Sequence, residues 1–405
     1  MTLSRRSLLA QAGVLPLSAH AFAASAATPG RLIVVFLRGA VDGLNVVVPY
    51  SDHDYAIARP TIAIAPPGAV GGALDLDGTF GLHPSLASLM PLWTERKLAF
   101  VHAMGSPDPS RSHFDAQDNM ETGTPGAKTT GDGWMNRLIG VLPAPHKVTD
   151  AIAFGPTMPR ILSGKQPAGT VPNGRGAGAQ TPLDRPLINA AFDRLYTGDD
   201  ALSHAYRDGL AAHKQVVAEL QGEMMQADNG APSSAGFPSD AGRMATLMRQ
   251  DPSLKLGFFA LGGWDTHVNQ GGADGQLDQR LKPLGDGLVA LARDLGPVFD
   301  ETVIVVMSEF GRTVHENGNR GTDHGHGNVM WVLGGRVAGG RVYGAWPGLA
   351  LEQLYEGRDL AVTTDFRTAL SAVLMHHLGV TSTQLAEIFP GHTPTSGDLS
   401  SLIAA

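Results

Sequence analysis

Thr302-Val303-Ile304-Val305-Val306-Met307, running straight into Ser308-Glu309-Phe310-Gly311-Arg312, is the stretch on which the reading of the fold turns. An unbroken run of β-branched and apolar residues, with no polar alternation, describes a strand covered on both faces, as in a parallel sheet between two helical layers. Outward from it the same pattern recurs. Leu32–Leu37 is a second such run, and Leu98–His102, Ala151–Phe154, Leu254–Leu261 and Val329–Leu333 read as further strands. Between them, Ser203–Met225, Leu277–Leu295 and Thr364–Leu378 have helical spacing. Residues 227–240 read as a loop, after which Ser239 and Asp240 cap a helix through Arg249. Strands alternating with helices predict an α/β fold, a doubly wound, mostly parallel sheet with helices on both faces. No composition break divides residues 28–405, so one domain is expected there.

The first residues read differently. Ser4-Arg5-Arg6-Ser7-Leu8-Leu9 and a weakly apolar stretch to Leu17 precede small-x-small sites such as Ala24-Ser25-Ala26. Residues 1–27 are therefore expected to be a twin-arginine signal peptide, delivering a folded protein to the periplasm or beyond. Elsewhere nothing approaches the roughly 18 consecutive apolar residues of a membrane span, so none is expected in the mature protein. The formal charge of −8 and the lack of Lys/Arg runs give no footing for nucleic acid. With no cysteine among the 405 residues, disulfides and thiolate ligands are excluded, and any metal must be held by imidazole and carboxylate.

The polar clusters follow the ends of apolar strands. In an open α/β sheet the carboxyl ends share one rim, where ligands bind. Asp265-Thr266-His267 places two metal-competent side chains at i and i+2 after Gly262-Gly263. Gly321-Thr322-Asp323-His324-Gly325-His326-Gly327 interleaves an Asp and two His with three glycines, which suits a tight ligand loop. Glu309 at a strand end can ligate a cation, and Arg312 can meet an anionic oxygen, or the two can simply pair with each other. Arg38 and Asp42 pose the same choice after the first strand, and His315 reads as exposed. Ser110-Arg111-Ser112-His113-Phe114 offers a hydroxyl between a cation and an imidazole; Ser112 reads either as a nucleophile activated by base or metal, or as the cap of a helix through Asn119. There is no Gly-x-Ser-x-Gly elbow, P-loop or Gly-x-Gly-x-x-Gly, which disfavours a serine esterase and nucleotide or dinucleotide binding.

Taken in order, Leu37-Arg38-Gly39-Ala40-Val41-Asp42-Gly43-Leu44-Asn45, Arg111-Ser112-His113-Phe114-Asp115-Ala116-Gln117, Gly263-Trp264-Asp265-Thr266-His267, Ser308-Glu309-Phe310-Gly311-Arg312-Thr313 and Gly321-Thr322-Asp323-His324-Gly325 resemble the twin-arginine-exported bacterial family called domain of unknown function 1501. That family is grouped with the alkaline phosphatase and sulfatase superfamily. The resemblance implies an alkaline phosphatase-like fold and hydrolysis of a phosphate- or sulfate-type ester, small or polymer-borne, with one or two divalent ions (Zn, Mn, Fe or Mg). It implies Ser112 as nucleophile, with His113 and Arg111 beside it, and metal ligands drawn from Asp42, Asp265, His267, Glu309, Asp323, His324 and His326. Read from the residues themselves, Arg38 and Arg312 are the expected substrate contacts. Two departures stand out: Phe310 occupies the place of a superfamily metal-binding His, and Pro107 stands where a formylglycine sulfatase needs Cys or Ser. The rival expectation is a non-catalytic metal-binding periplasmic protein that holds a partner or an envelope polymer.

Overall fold

The computed structural model describes residues 30–127, 130–173, 226–395 and 397–404. The expected signal peptide and the expected Ser203–Met225 helix lie outside the described residues.

Among the described residues, nine strands form the main sheet: β1 (Arg31–Leu37), β2 (Leu98–Gly105), β3 (Ala151–Phe154), β4 (Gly169–Val171), β5 (Leu256–Leu261), β6 (Thr302–Ser308), β7 (Asn328–Gly334), β8 (Arg341–Tyr343) and β9 (Thr364–Asp365). Their order is β8-β2-β7-β6-β1-β5-β3-β4, with β9 paired to β2. Only β7 runs against its neighbours, β6 and β2, while the other pairings are parallel. The long apolar runs thus stand at the centre, where both faces need cover, and all seven residues of β6 are buried.

Period-2 alternation sorts the β1 side chains between two cores. Leu32, Val34 and Phe36 join the layer built by α1 (His113–Thr122), α2 (Trp134–Val141), α5 (Phe366–Leu378) and α6 (Ser382–Ile388). Ile33, Val35 and Leu37 face the layer of α3 (Phe237–Gln250) and α4 (Gln276–Leu295). Each such side chain contributes about 1.5–3 kcal/mol by leaving water. Helix α3 starts at Phe237, ahead of the expected Ser239 or Asp240 cap, because Pro238 in its first turn tolerates the missing N–H while fixing a helical φ. Helix α5 begins where the Asp365 carboxylate accepts from Arg367 N at 2.9 Å and ends at Gly379 in the left-handed region, φ 70°. Three short strands, Val47–Val48, Leu74–Asp75 and Gly81–Leu82, form a small separate sheet. Strands this brief carry no periodicity that a sequence pattern could reveal.

Candidate metal centre

Strands β1, β2, β5 and β6 deliver their carboxyl ends to one rim, and antiparallel β7 begins there, since Asn328 pairs with Met104. The loop 309–327 therefore leaves the rim and returns to it. Its halves close on each other through Gly325 N to Gly311 O at 2.8 Å and Gly311 N to His326 O at 2.9 Å. A side chain at Gly325 would run into the Arg312 backbone, which explains why that position carries none. Gly39, at φ +110°, makes the corresponding approach after β1: a Cβ there would lie 2.7 Å from Asp265 N. Its own N–H donates to Glu309 Oε1 at 2.8 Å, tying three strand ends together.

Three imidazoles meet at this junction. His113 Nε2 and His267 Nε2 each stand 3.0 Å from His324 Nε2. Asp265 joins them: its Oδ1 is 2.9 Å from His267 Nε2 and 3.4 Å from His324 Nε2, and its Oδ2 is 3.5 Å from His113 Nε2. The opposite ring nitrogens are all engaged. His113 Nδ1 faces Glu309 Oε1 at 2.8 Å, His267 Nδ1 faces Asp323 Oδ1 at 3.1 Å, and His324 Nδ1 donates to the Arg111 carbonyl at 2.9 Å. Such outer partners hold each ring with Nε2 toward the junction, the arrangement that orients a metal-ligating histidine. Lone pairs 3 Å apart repel unless a proton or cation lies between them.

Charge at the junction follows from these contacts. Burial works against a charged His113, but Asp265 and Glu309 outweigh it and raise its pKa to about 9. His267 is likewise raised against its burial, by Asp265 and Asp323, whereas His324 is lowered by burial, with Arg312 and His113 adding repulsion. Burial also opposes ionisation of Asp265, yet His113, His267, His324 and Arg312 together hold its carboxyl far below the usual range. Its hydrogen bond with His267 brings Asp323 down to about 2. Glu309 is lowered despite burial, with His113 as the main cause.

The residues present fit a divalent cation. Donors about 2.0–2.1 Å from a tetrahedral ion stand roughly 3.3 Å apart, and the separations among His113, Asp265 and His324 run from 3.0 to 3.5 Å. His113, Asp265 and His324 each offer a ligand atom within 4.8 Å of the others. Asp265 Oδ2 is buried with no hydrogen-bond partner, an orphan that a cation would satisfy.

Other expected site residues lie around this group in different roles. Asp42 is engaged away from it: its carboxylate takes Arg59 Nη1 at 2.5 Å, Arg59 Nη2 at 3.0 Å and Gln270 Nε2 at 2.6 Å, all in full burial. Arg312 donates to Asp265 Oδ1 at 2.6 Å and to Thr322, so it neutralises the ligand instead of reaching outward. Arg38 is buried against Glu121 at 2.6 Å. Glu309 and Asp323 brace His113 and His267. His326 turns the other way and stacks on Tyr355, ring centroids 4.6 Å apart. Arg111 pairs with Asp359 and Glu356, each at 2.6 Å. Ser112 is exposed and caps α1, its hydroxyl 3.5 Å from Asp115 N. His315 is exposed, as expected. Two further residues shape the site without a sequence motif that marks them: Arg59, whose partners are remote in sequence, and Gln117, whose amide reaches Glu309 Oε1 at 3.1 Å and Ala227 O at 2.6 Å. Its i+4 spacing from His113 on one helix was the available signal.

Residues 29–389 match the family described as a protein of unknown function, DUF1501, and the chain belongs to that family. No curated protein matches the sequence. Solved structures resemble it weakly, at low identity. The zinc complex of the C-terminal periplasmic domain of EptC from Escherichia coli has TM-score 0.38 and 11% identity, over 76% of this chain and 73% of that one. An alkaline phosphatase superfamily protein from Vibrio parahaemolyticus gives 0.39 and 10%, over 78% and 62%. The lipoteichoic acid synthase LtaP from Listeria monocytogenes gives 0.34 and 9%, over 75% and 65%. Among the described residues no helix is long and apolar enough to cross a membrane.

Proposed function

We propose that this chain is a metal-dependent hydrolase of phosphate- or sulfate-type esters, small or polymer-borne, acting outside the cytoplasm after export by the twin-arginine machinery. The observation that carries the reading is that His113 Nε2, His324 Nε2 and the Asp265 carboxylate lie within 4.8 Å of one another, both imidazoles braced from behind and one carboxylate oxygen orphaned. His113, His324 and Asp265 would hold the ion, with His267 beside them on Asp265 Oδ1, and the ion would supply Lewis acidity toward an ester oxygen. Asp265 anchors the group, and Arg312 offsets its charge from inside. Glu309, Asp323 and the Arg111 carbonyl keep the rings pointed. The half-buried face at His324 is the side from which a substrate enters, and exposed Ser112, next to His113, is the hydroxyl this reading retains as nucleophile.

The test is hydrolysis of p-nitrophenyl phosphate, bis(p-nitrophenyl) phosphate and p-nitrophenyl sulfate by protein loaded with Zn, Mn, Fe or Mg. Activity lost in both Ser112→Ala and Asp265→Ala supports a serine step. Activity that survives Ser112→Ala and not Asp265→Ala assigns attack to water. One feature favours the second reading, a non-catalytic metal-binding protein: Phe310, a ring that cannot ligate, fills one flank of the group. Full metal loading without turnover of any of these esters decides for it.

A further inference from the structure

A paired-metal phosphoesterase holds its ions about 3.5–4 Å apart, and the second ion needs its own donors, chiefly carboxylates. Apart from Asp265, the carboxylates among the expected metal ligands are engaged by the protein. Asp42 is clamped by both Arg59 nitrogens and by Gln270. Glu309 Oε1 takes Gly39 N and Gln117 Nε2 besides facing His113, and its Oε2 stands 3.0 Å from Ser308 Oγ. Asp323 is held by His267 and by Asn317 Nδ2 at 3.0 Å. The inner flank of the imidazole group is hydrocarbon. Phe310 is 3% exposed and packs with Ala40 and Ala116, its ring centroid 4.9 Å from that of His113 and 5.3 Å from that of His324. An ion lodged against that ring would lose hydration and gain no donor in exchange.

We infer that this centre takes a single divalent cation, on His113, Asp265 and His324, with Phe310 plugging the flank where a second would need ligands. The inference rests on the metal-dependent reading above and narrows it: one ion serves the site, reached from the His324 side.

Metal-stripped full chain titrated with zinc, followed by calorimetry and by metal analysis after gel filtration, is expected to bind about one equivalent tightly. His324→Ala, the substitution nearest solvent, is expected to weaken that binding at least about 100-fold and leave no tight site; a two-ion centre would retain one equivalent. Circular dichroism checks that the variant is folded, and the wild-type stoichiometry stands without it. Two tight equivalents in the wild-type chain overturn the single-ion inference and leave the hydrolase reading intact. One equivalent without hydrolysis of any ester upholds the inference and removes the hydrolase reading. No tight binding removes both.

Discussion

Replacing Asp42 by Asn separates a metal ligand from a structural anion. In the fold the Asp42 carboxylate lies at 2.5 and 3.0 Å from the two terminal nitrogens of Arg59, with both side chains fully buried. Arg59 also donates to the carbonyls of Val314 at 2.9 Å and Thr313 at 2.8 Å and to Asn45 Oδ1 at 2.7 Å, so it is fixed and cannot follow a departing charge to solvent. Taking one partner from a buried ion pair costs about 3–5 kcal/mol, because the other charge stays desolvated. Unfolding entropy near 2.1 cal/mol/K per residue gives about 0.8 kcal/mol/K for a chain of this size, so melting should drop by about 4–6 °C. Zinc stoichiometry should not change. Scanning calorimetry reads the first quantity and metal analysis the second. A variant that melts with the wild type but loses zinc would show Asp42 to be a ligand, and would refute the assignment of its charge to Arg59.

Further outcomes follow from other contacts. His102, fully buried, holds one tautomer: Nε2 donates to Val47 O at 2.9 Å and Nδ1 accepts from Ala103 N at 2.9 Å. Burial lowers its pKa to about 4, so the unfolded chain binds the proton first as pH falls. Its contribution to stability is full above about pH 6.5 and is lost on the way down to about 4, roughly 3 kcal/mol in all. Urea midpoints between pH 7.5 and 4.5 should therefore fall less steeply in His102→Gln, and parallel slopes would contradict this. Gly39→Ala combines a left-handed φ with a Cβ 2.7 Å from Asp265 N; a loss of about 2–4 kcal/mol is expected, with weaker metal uptake, and a wild-type melting curve would speak against the tight approach. Adding zinc at about 1,000 times its dissociation constant should stabilise the folded chain by about 4 kcal/mol, reversed by EDTA; unchanged melting would count against the metal centre. Because His113 carries its proton up to about pH 9 without metal, zinc uptake at pH 7 should release about one proton, detected as a dependence of the binding heat on the buffer's ionisation enthalpy.

The α/β class, the central strands and the rim could be read directly from the sequence, since a continuous apolar run has one low-energy place, inside a sheet covered on both faces. Asp265, His267 and His324 were legible for a related reason. They follow strands or sit among glycines, in segments where imidazole and carboxylate have no packing purpose. The partners of each charge were not legible. Arg59 meets Asp42 across 17 residues of chain, Arg312 meets Asp265 across 47, and His113 meets Glu309 across 196. No periodicity relates such positions, because hydrogen bonding at a rim depends on which loops the sheet order sets side by side. Hence the sequence by itself determined the strands, the shared rim and the residue types that reach it. The tertiary structure decided which of those residues face the cation and which are held off by an arginine, a backbone donor or an aromatic ring. The physical reason is that a buried charge takes the nearest complementary group, and only packing determines which group is nearest.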